Sequence, residues 1–378
     1  MKKPRLLVFS RGRTFLRSDS TYRYYDNDGK FIDSISGEFE SVTILSKGVR
    51  ESDKNISWVK DYSHVFQSSN VRLVTYGESG LFLLFRELAL FLRERKKCDV
   101  AYLFGPTGRM YFLSLLLFRK TKCCIYLGLR WGGAKNQLLG ILEKLAVKKA
   151  SVVYCAGPDI KDYICGLGLQ RRVIETVPMV NILGDGVPRE YGSEVCLKVL
   201  MVGSLIPRKD FGTMFKALRV LECKFEGCVK LDILGAGDVD AFKEEHLEVL
   251  VGLSSNIDFV GQVREEKLLR AYFESADLLV MSSLDEGVPR VIYEAFSFGL
   301  PVISTPLPGV KKVFGDVGAI SYFDFGDSER LAEILMELSL NKQEMRLMSQ
   351  SAAETHKAKL CISSVDQIRS FLEEEGLS

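Results

Sequence analysis

Short, unbroken apolar runs alternate with helical stretches along nearly the whole chain, and this alternation restricts the fold more than any other feature. In the first half such runs fall at 6–10, 42–46, 71–76, 100–104, 124–127, 152–155 and 173–177. Runs this short and continuous suit parallel strands covered on both faces. Helical periodicity fills intervals between them at 81–95, 108–119 and 137–149. A stretch at 182–194, I-L-G-D-G-V-P-R-E-Y-G-S-E, reads as a linker because its Gly and Pro break both periodicities. The alternation then restarts, with strands expected at 198–202, 230–234, 257–260, 278–281, 302–305 and 319–322. Helices are expected at 211–223, 265–275, 289–298 and 328–340, and the last 36 residues read as helical throughout. The fold class expected is α/β, as two doubly wound domains, 1–192 and 193–378, with a cleft between them.

Length and composition agree with this. The chain has 378 residues, 47% hydrophobic and 26% charged. That is enough for two cores, and it excludes a disordered chain or a disulfide-stapled miniprotein. The net charge of +2 hides an asymmetry. Residues 1–190 carry 31 Lys/Arg against 19 Asp/Glu, a balance of +12, and the remainder carries −10. Within 86–149 the balance is +10, beside Leu- and Phe-rich segments. Two readings stay open: core helices with solvated basic ends, or attachment to an anionic membrane surface. Nucleic acid is not an expected partner, because no recognised module or aromatic platform accompanies the charge. Nine Cys without a C-x-x-C read as free thiols in a reducing compartment. The N-terminal apolar run is too short for a signal peptide, and no run approaches the roughly 20 residues that span a bilayer. The expected location is cytoplasmic, at most peripheral on the cytoplasmic membrane face.

The most informative segment is 276–308, A-D-L-L-V-M-S-S-L-D-E-G-V-P-R-V-I-Y-E-A-F-S-F-G-L-P-V-I-S-T-P-L-P. An apolar strand runs into a polar loop carrying Glu286, and a helix begins near Val288 or Pro289, a residue suited to a first turn. Glu286 then lies beyond a strand's carboxyl end, where open α/β sheets bind ligands. Glu294 follows two helical turns later, and Gly287 admits a ligand close to the backbone. The competing reading is two solvated carboxylates flanking an ordinary turn.

Glu, seven residues, Glu, with Gly after the first and Ala after the second, resembles the signature of retaining GT-B glycosyltransferases of family 4 (group 1 type). Other segments resemble that family in the same order. They are L-M-V-G-S-L-I-P-R-K-D at 200–210, N-I-D-F-V-G-Q-V at 256–263, A-D-L-L-V-M-S-S at 276–283 and G-L-P-V-I-S-T at 299–305. The resemblance implies two Rossmann-like domains in GT-B arrangement, the first binding the acceptor and the second a nucleotide-sugar donor, with the last helix crossing back to the first. It implies that Glu286 hydrogen-bonds donor-sugar hydroxyls and that Glu294 accepts from the ribose hydroxyls. Lys209, assisted by Arg208, neutralises the diphosphate. Gly203, Ser204, Gln262, Val263, Gly287, Val288 and Pro289 complete the donor contacts, with Glu286 and Lys209 as the catalytic pair. The reaction implied is transfer to a glycan or lipid-linked glycan hydroxyl with retention, the donor being UDP-linked by frequency in the family.

This sequence departs from the family at several positions. Ser204 stands where an Arg is usual, and Asp210 where a Gly is usual. The Gly pair expected after the 302–305 strand is Pro308-Gly309. No His matches the usual one in the first domain; Arg130 and Trp131 offer the corresponding acceptor-side groups. His64, His246 and His356 read as structural. Asp238-Val239-Asp240 and Asp26-Asn27-Asp28 read as cap or loop residues rather than metal ligands. No metal and no cofactor are expected, and Gly235 with Gly237 is too incomplete a fingerprint for a dinucleotide. The rival readings are a nucleotide-sugar epimerase on the same fold and a non-catalytic nucleotide-sugar-binding protein.

Overall fold

The structure is a computed structural model of the chain. It describes residues 2–16, 22–50, 64–77, 83–128, 137–168, 172–176, 184–192, 196–224, 229–253, 256–263, 265–286, 288–360 and 364–377. The strands are β1 (Arg5–Leu16), β2 (Tyr22–Tyr24), β3 (Ser41–Arg50), β4 (Val71–Thr75), β5 (Val100–Gly105), β6 (Lys122–Leu127), β7 (Val152–Cys155) and β8 (Arg172–Glu175), then β9 (Leu197–Val202), β10 (Val229–Leu234), β11 (Asn256–Gly261), β12 (Leu278–Met281), β13 (Val302–Ser304) and β14 (Ile320–Tyr322). The helices are α1 (Asp26–Ser36), α2 (Leu83–Glu94), α3 (Gly108–Leu115), α4 (Gln137–Lys149), α5 (Pro158–Gly166), α6 (Phe211–Lys224), α7 (Val239–Glu245), α8 (Leu247–Leu250), α9 (Glu266–Ser275), α10 (Arg290–Ser297), α11 (Pro308–Phe314), α12 (Ser328–Leu340), α13 (Lys342–Leu360) and α14 (Ser364–Glu374).

The chain forms two compact units, Met1–Met179 with Ile362–Ser378, and Val180–Cys361. The sequence reading drew the boundary at 192/193. The linker-like stretch instead belongs to the second unit, because the Arg189 guanidinium donates to the carbonyls of Glu274, Ala276, Phe273 and Phe298 there. These bonds hold carbonyls at the ends of α9 and α10 that lack helical partners.

The first unit is a sheet in the order β4-β3-β1-β5-β6-β7-β8, parallel throughout, with β2 antiparallel on the end of β1. Successive side chains of a strand point to opposite faces. Leu7 and Phe9 of β1 therefore join one core, with Phe91 of α2, Met110 and Tyr111 of α3 and Val147 of α4. Leu6 and Val8 join the other, with Ile32 and Ile35 of α1 and Ile368, Phe371 and Leu372 of α14. Both faces are covered, which is why β5 is buried along its whole length.

The second unit is parallel too, in the order β11-β10-β9-β12-β13-β14. Val199 and Met201 of β9, Ile233 of β10 and Val280 of β12 pack against Met214, Phe215 and Leu218 of α6 and Leu331 and Leu335 of α12.

Several features differ from the sequence reading. Elements β2, α1, α5, α7, α8 and α11 have no counterpart among the expected strands and helices. Asp26-Asn27-Asp28 opens α1 instead of lying in a loop. The last 36 residues divide into α13 and α14, which belong to different units. Cys98, Cys123, Cys124 and Cys155 are buried free thiols, whereas Cys165 and Cys223 are exposed and Cys196 is disulfide-bonded.

The structure predicts that α14 stabilises the first unit. Phe371→Ala removes a fully buried ring and should cost about 3–5 kcal/mol in the unfolding transition of that unit. Leu347→Ala, at an exposed position of α13, should stay within about 0.5 kcal/mol. Chemical denaturation read by circular dichroism checks this; equal small losses would contradict it.

Candidate functional site

In the second unit, β9 and β12 are parallel neighbours at the middle of the sheet. From β9 the chain proceeds outward to β10 and β11; from β12 it proceeds the other way to β13 and β14. The loops leaving the carboxyl ends of β9 and β12 therefore diverge, which opens a crevice between them at the topological switch point. Lys209 lies on the first loop and Glu286 on the second, and their side chains form an ion pair. Both groups are largely buried, with side chains 15% and 13% exposed. The Ser283 hydroxyl lies 3.4 Å from the same carboxylate oxygen, to which it donates.

Backbone and hydroxyl contacts hold the two loops together. Ser282 Oγ donates to the carbonyls of Lys209 (3.0 Å) and Asp210 (2.7 Å). Leu284 N donates to the Arg208 carbonyl, and Arg208 Nη1 donates to the Asp285 carbonyl, both at 2.9 Å. Arg208, expected to assist with phosphate, thus spends at least one donor on the neighbouring loop. Thr305 Oγ1, just past β13, donates to the Ser283 carbonyl at 2.7 Å. Sequence reasoning missed these hydroxyls, because a Ser or Thr after a strand carries no signal that separates a loop staple from a solvated turn.

The departures from the family's pattern have local explanations. Pro207–Lys209 is a 3-10 turn, and Asp210 follows in the left-handed region at φ 45°. Glycine is the default there, but Asp is among the side chains that tolerate it. Asp210 Oδ2 also accepts from Thr213 Oγ1 at 2.5 Å, in the first turn of α6. Gly203 is needed for a different reason. A Cβ there would lie 3.0 Å from Cε and 3.3 Å from Nζ of Lys209, so the lysine stem crosses directly over it. Ser204 is exposed beside it.

The Gly235 turn after β10 is explained by packing. A Cβ on Gly235 would fall 1.7 Å from the Gly203 carbonyl oxygen. Gly235 N bonds to the carbonyl of Gly261 at the end of β11, which places the Gln262-Val263 turn at the same sheet edge. Asp238 caps α7, accepting from the amides of Asp240 and Ala241 at 3.1 Å each. Pro289 is the cap of α10, and Val288 precedes it. Glu294 lies in the second turn of that helix and is 3% exposed. Pro308 and Gly309 open α11.

Gly287, Arg130 and Trp131 lie outside the described residues. No group of three or more His, Cys, Asp or Glu among the described residues is placed to hold a metal ion. Of the histidines, His64 Nε2 bonds to Asp33 at 2.8 Å, His246 packs edge-on against Phe242, and His356 lies against Gly186.

Residues 194–355 match the family described as glycosyl transferases group 1. An amylovoran biosynthesis glycosyltransferase of Erwinia amylovora, AmsK, is 30% identical over 152 residues, 38% of this chain and 36% of that protein. The chain spans about a third of the length of the first curated relatives it matches. Among solved structures, the Anabaena protein Alr3699/HepE in complex with UDP superposes with a TM-score of 0.70 at 14% identity, over 99% of this chain and 100% of that one. A putative UDP-N-acetylglucosamine 2-epimerase from Listeria monocytogenes superposes at 0.61 and 14% identity, over 99% and 98%. Identities this low show the fold alone, two Rossmann-like domains of the GT-B kind, while the match over 194–355 reaches the switch-point loops themselves. Residues 194–355, a little under half of the chain, are thus similar to the group 1 glycosyltransferases.

Proposed function

We propose that the protein is a retaining glycosyltransferase that moves a sugar from a UDP-linked donor to a hydroxyl of a glycan or lipid-linked glycan, in surface polysaccharide or glycoconjugate biosynthesis. The observation that carries this reading is the Lys209–Glu286 pair at the switch point between β9 and β12. The named complexes of the Anabaena neighbour, with UDP and with UDP-glucose, support a uridine nucleotide as donor. The name of the Erwinia relative supports a polysaccharide product.

The chemistry follows from charge. The Lys209 ammonium and the Glu286 carboxylate neutralise each other. A diphosphate entering the crevice brings more negative charge than one carboxylate, so Lys209 turns to it as a compact cation. Glu286, released, accepts hydrogen bonds from the hydroxyls of the donor sugar, a role open to an ionised carboxylate. Glu294 takes the ribose hydroxyls, and the Gln262-Val263 turn lies beside the base. The acceptor oxygen then bonds to the anomeric carbon as the bond from that carbon to the diphosphate oxygen breaks. Attack and departure share one face, and the acceptor's proton passes to the departing diphosphate. Lys209 stabilises the charge that develops there, so neither a side-chain nucleophile nor a metal ion is required.

Two predictions test this. Lys209→Ala should weaken UDP binding by about 1.5–3 kcal/mol, roughly ten- to a hundredfold in Kd. Part of that loss is the unpaired Glu286 carboxylate beside the diphosphate. Lys209→Ala with Glu286→Gln should therefore recover some UDP affinity, a non-additivity expected of directly contacting groups. Glu286→Gln alone should weaken the nucleotide sugar more than UDP. Isothermal titration of UDP with the wild type and the three variants, and of the nucleotide sugar with the wild type and Glu286→Gln, gives these affinities; unchanged UDP affinity in Lys209→Ala would sink the assignment.

The second concerns metal. Transfer from a radiolabelled UDP-sugar to acceptor should persist in excess chelator, because Lys209 supplies the neutralising charge. Complete loss restored by magnesium or manganese would show that a cation does this work. A new nucleotide sugar without transfer would identify the epimerase instead.

A further inference from the structure

We propose that the outer face of α2, α3 and α4 is a docking surface for an anionic lipid bilayer. These helices form one continuous layer on the first sheet. Arg109 Nη1 of α3 bonds to Glu87 of α2 at 3.0 Å, and Tyr111 of α3 bonds to Glu143 of α4 at 2.6 Å. Lys149 of α4 reaches back to the Leu115 and Leu117 carbonyls at 2.6 and 2.7 Å. The inner side of the layer is the core already described.

The outer side is not that of ordinary core helices. Leu84 and Phe85, in the first turn of α2, are 59% and 70% exposed, and Ile141 and Leu145 of α4 are 54% and 47% exposed. Phe112 of α3 is similarly exposed. Ile141 and Leu145 are one turn apart and share a stripe, with Lys144 and Lys148 one turn apart beside it. Arg86 of α2 is exposed, and so are Arg119 and Lys120 in the turn between α3 and β6.

The acidic residues decide what such a face fits. Residues 86–149 contain four of them. Glu87, Glu94 and Glu143 are all under 5% exposed. Each is held from within, Glu87 by Arg109, Glu94 by Arg72 and Arg93, and Glu143 by two tyrosine hydroxyls. Asp99 precedes β5, at the amino end of the strand, and pairs with Arg5. The described outer face of the three helices therefore presents apolar and cationic side chains with no exposed carboxylate. That combination matches the acyl–headgroup boundary of an anionic bilayer, where apolar side chains enter and Lys or Arg meet phosphates. It does not match a protein surface carrying both signs of charge, and exposed Leu and Ile gain nothing from a nucleic-acid backbone. Phe112, Ile141 and Leu145 lie mid-helix, while Leu84 and Phe85 lie in the first turn of α2, toward the carboxyl ends of the strands. This is the end at which open α/β sheets bind ligands, so docking would bring a membrane-borne acceptor to the unit's ligand edge.

The proposal deepens the lipid-linked-acceptor reading above, but it concerns binding alone and is tested without glycosyl transfer. The full chain is sedimented with phosphatidylcholine vesicles, with and without phosphatidylglycerol. Salt is set at about 0.1 M and about 1 M, where the Debye length is about 10 Å and about 3 Å. Three double variants are compared: Ile141→Ser/Leu145→Ser, Lys144→Glu/Lys148→Glu, and the control Lys216→Glu/Lys267→Glu at exposed positions of the second unit. Thermal melting and UDP titration establish that each remains folded with its nucleotide site intact. The wild type should prefer anionic vesicles, more weakly at high salt. Both α4 variants should bind them at least about tenfold more weakly, and the control should match the wild type. Equal sedimentation with both lipids, or α4 variants that bind like the wild type, would overturn the proposal. So would a wild-type dimer that either α4 variant dissociates, which would make a second copy the occupant. Duplex oligonucleotide binding as tight as vesicle binding, lost only in the charge-reversed variant, would overturn it too. Failure here with normal UDP binding leaves the glycosyltransferase reading standing.

Discussion

The parallel adjacency of β9 and β12 is the constraint on which the second unit's chemistry depends. Two neighbouring strands whose chains leave in opposite directions must part at their carboxyl ends. The backbone groups of the two loops that follow need partners, and they find them in each other. Ser282 bonds two carbonyls of the Lys209 loop, while Leu284 N donates to the Arg208 carbonyl and the Arg208 side chain donates to the Asp285 carbonyl. With both loops fixed, the lysine and the carboxylate have little choice but to meet. The pair is a local consequence of sheet topology, not a chance surface contact.

Such a pair is weak as a stabilising device, because two charges removed from water lose hydration that their mutual attraction only partly restores. That balance is what makes the arrangement useful to a ligand. A group carrying more negative charge than one carboxylate can take the lysine without meeting an opposed, strongly favourable bond. Gly203 underneath gives the lysine stem room, and the left-handed Asp210, tied to Thr213, holds the turn that presents it.

Much of this was legible in the sequence wherever a segment's burial is continuous. The bounds of β12, α4 and α12 fall at the residues read from the pattern, 278–281, 137–149 and 328–340. Helix α1 was hidden by its polar opening D-N-D-G-K. Gly29 looks like a breaker, yet a Cβ there would come within 2.3 Å of the His64 ring, so the glycine serves a close approach inside the helix. Amphipathic spacing showed that α14 is a helix, but only the resemblance pointed to the sheet it covers, since Ile368, Phe371 and Leu372 would suit either core. At the site, Lys209, Glu286 and Glu294 were visible through their motif, and the pairing of the first two was not. The basic first half was visible as a number; only the structure shows that Glu87, Glu94 and Glu143 point inward and that Leu84, Phe85, Ile141 and Leu145 do not.

The account stands or falls on the β9–β12 crevice being the nucleotide site. Amide hydrogen exchange followed by mass spectrometry, with and without UDP, reads this without relying on any substitution. Slowed exchange is predicted in peptides covering 203–213 and 282–294, with lesser protection around 261–263, while the peptides of the α2–α4 layer are unchanged. Protection confined to the first unit, with the Lys209 and Glu286 loops exchanging as before, would contradict it.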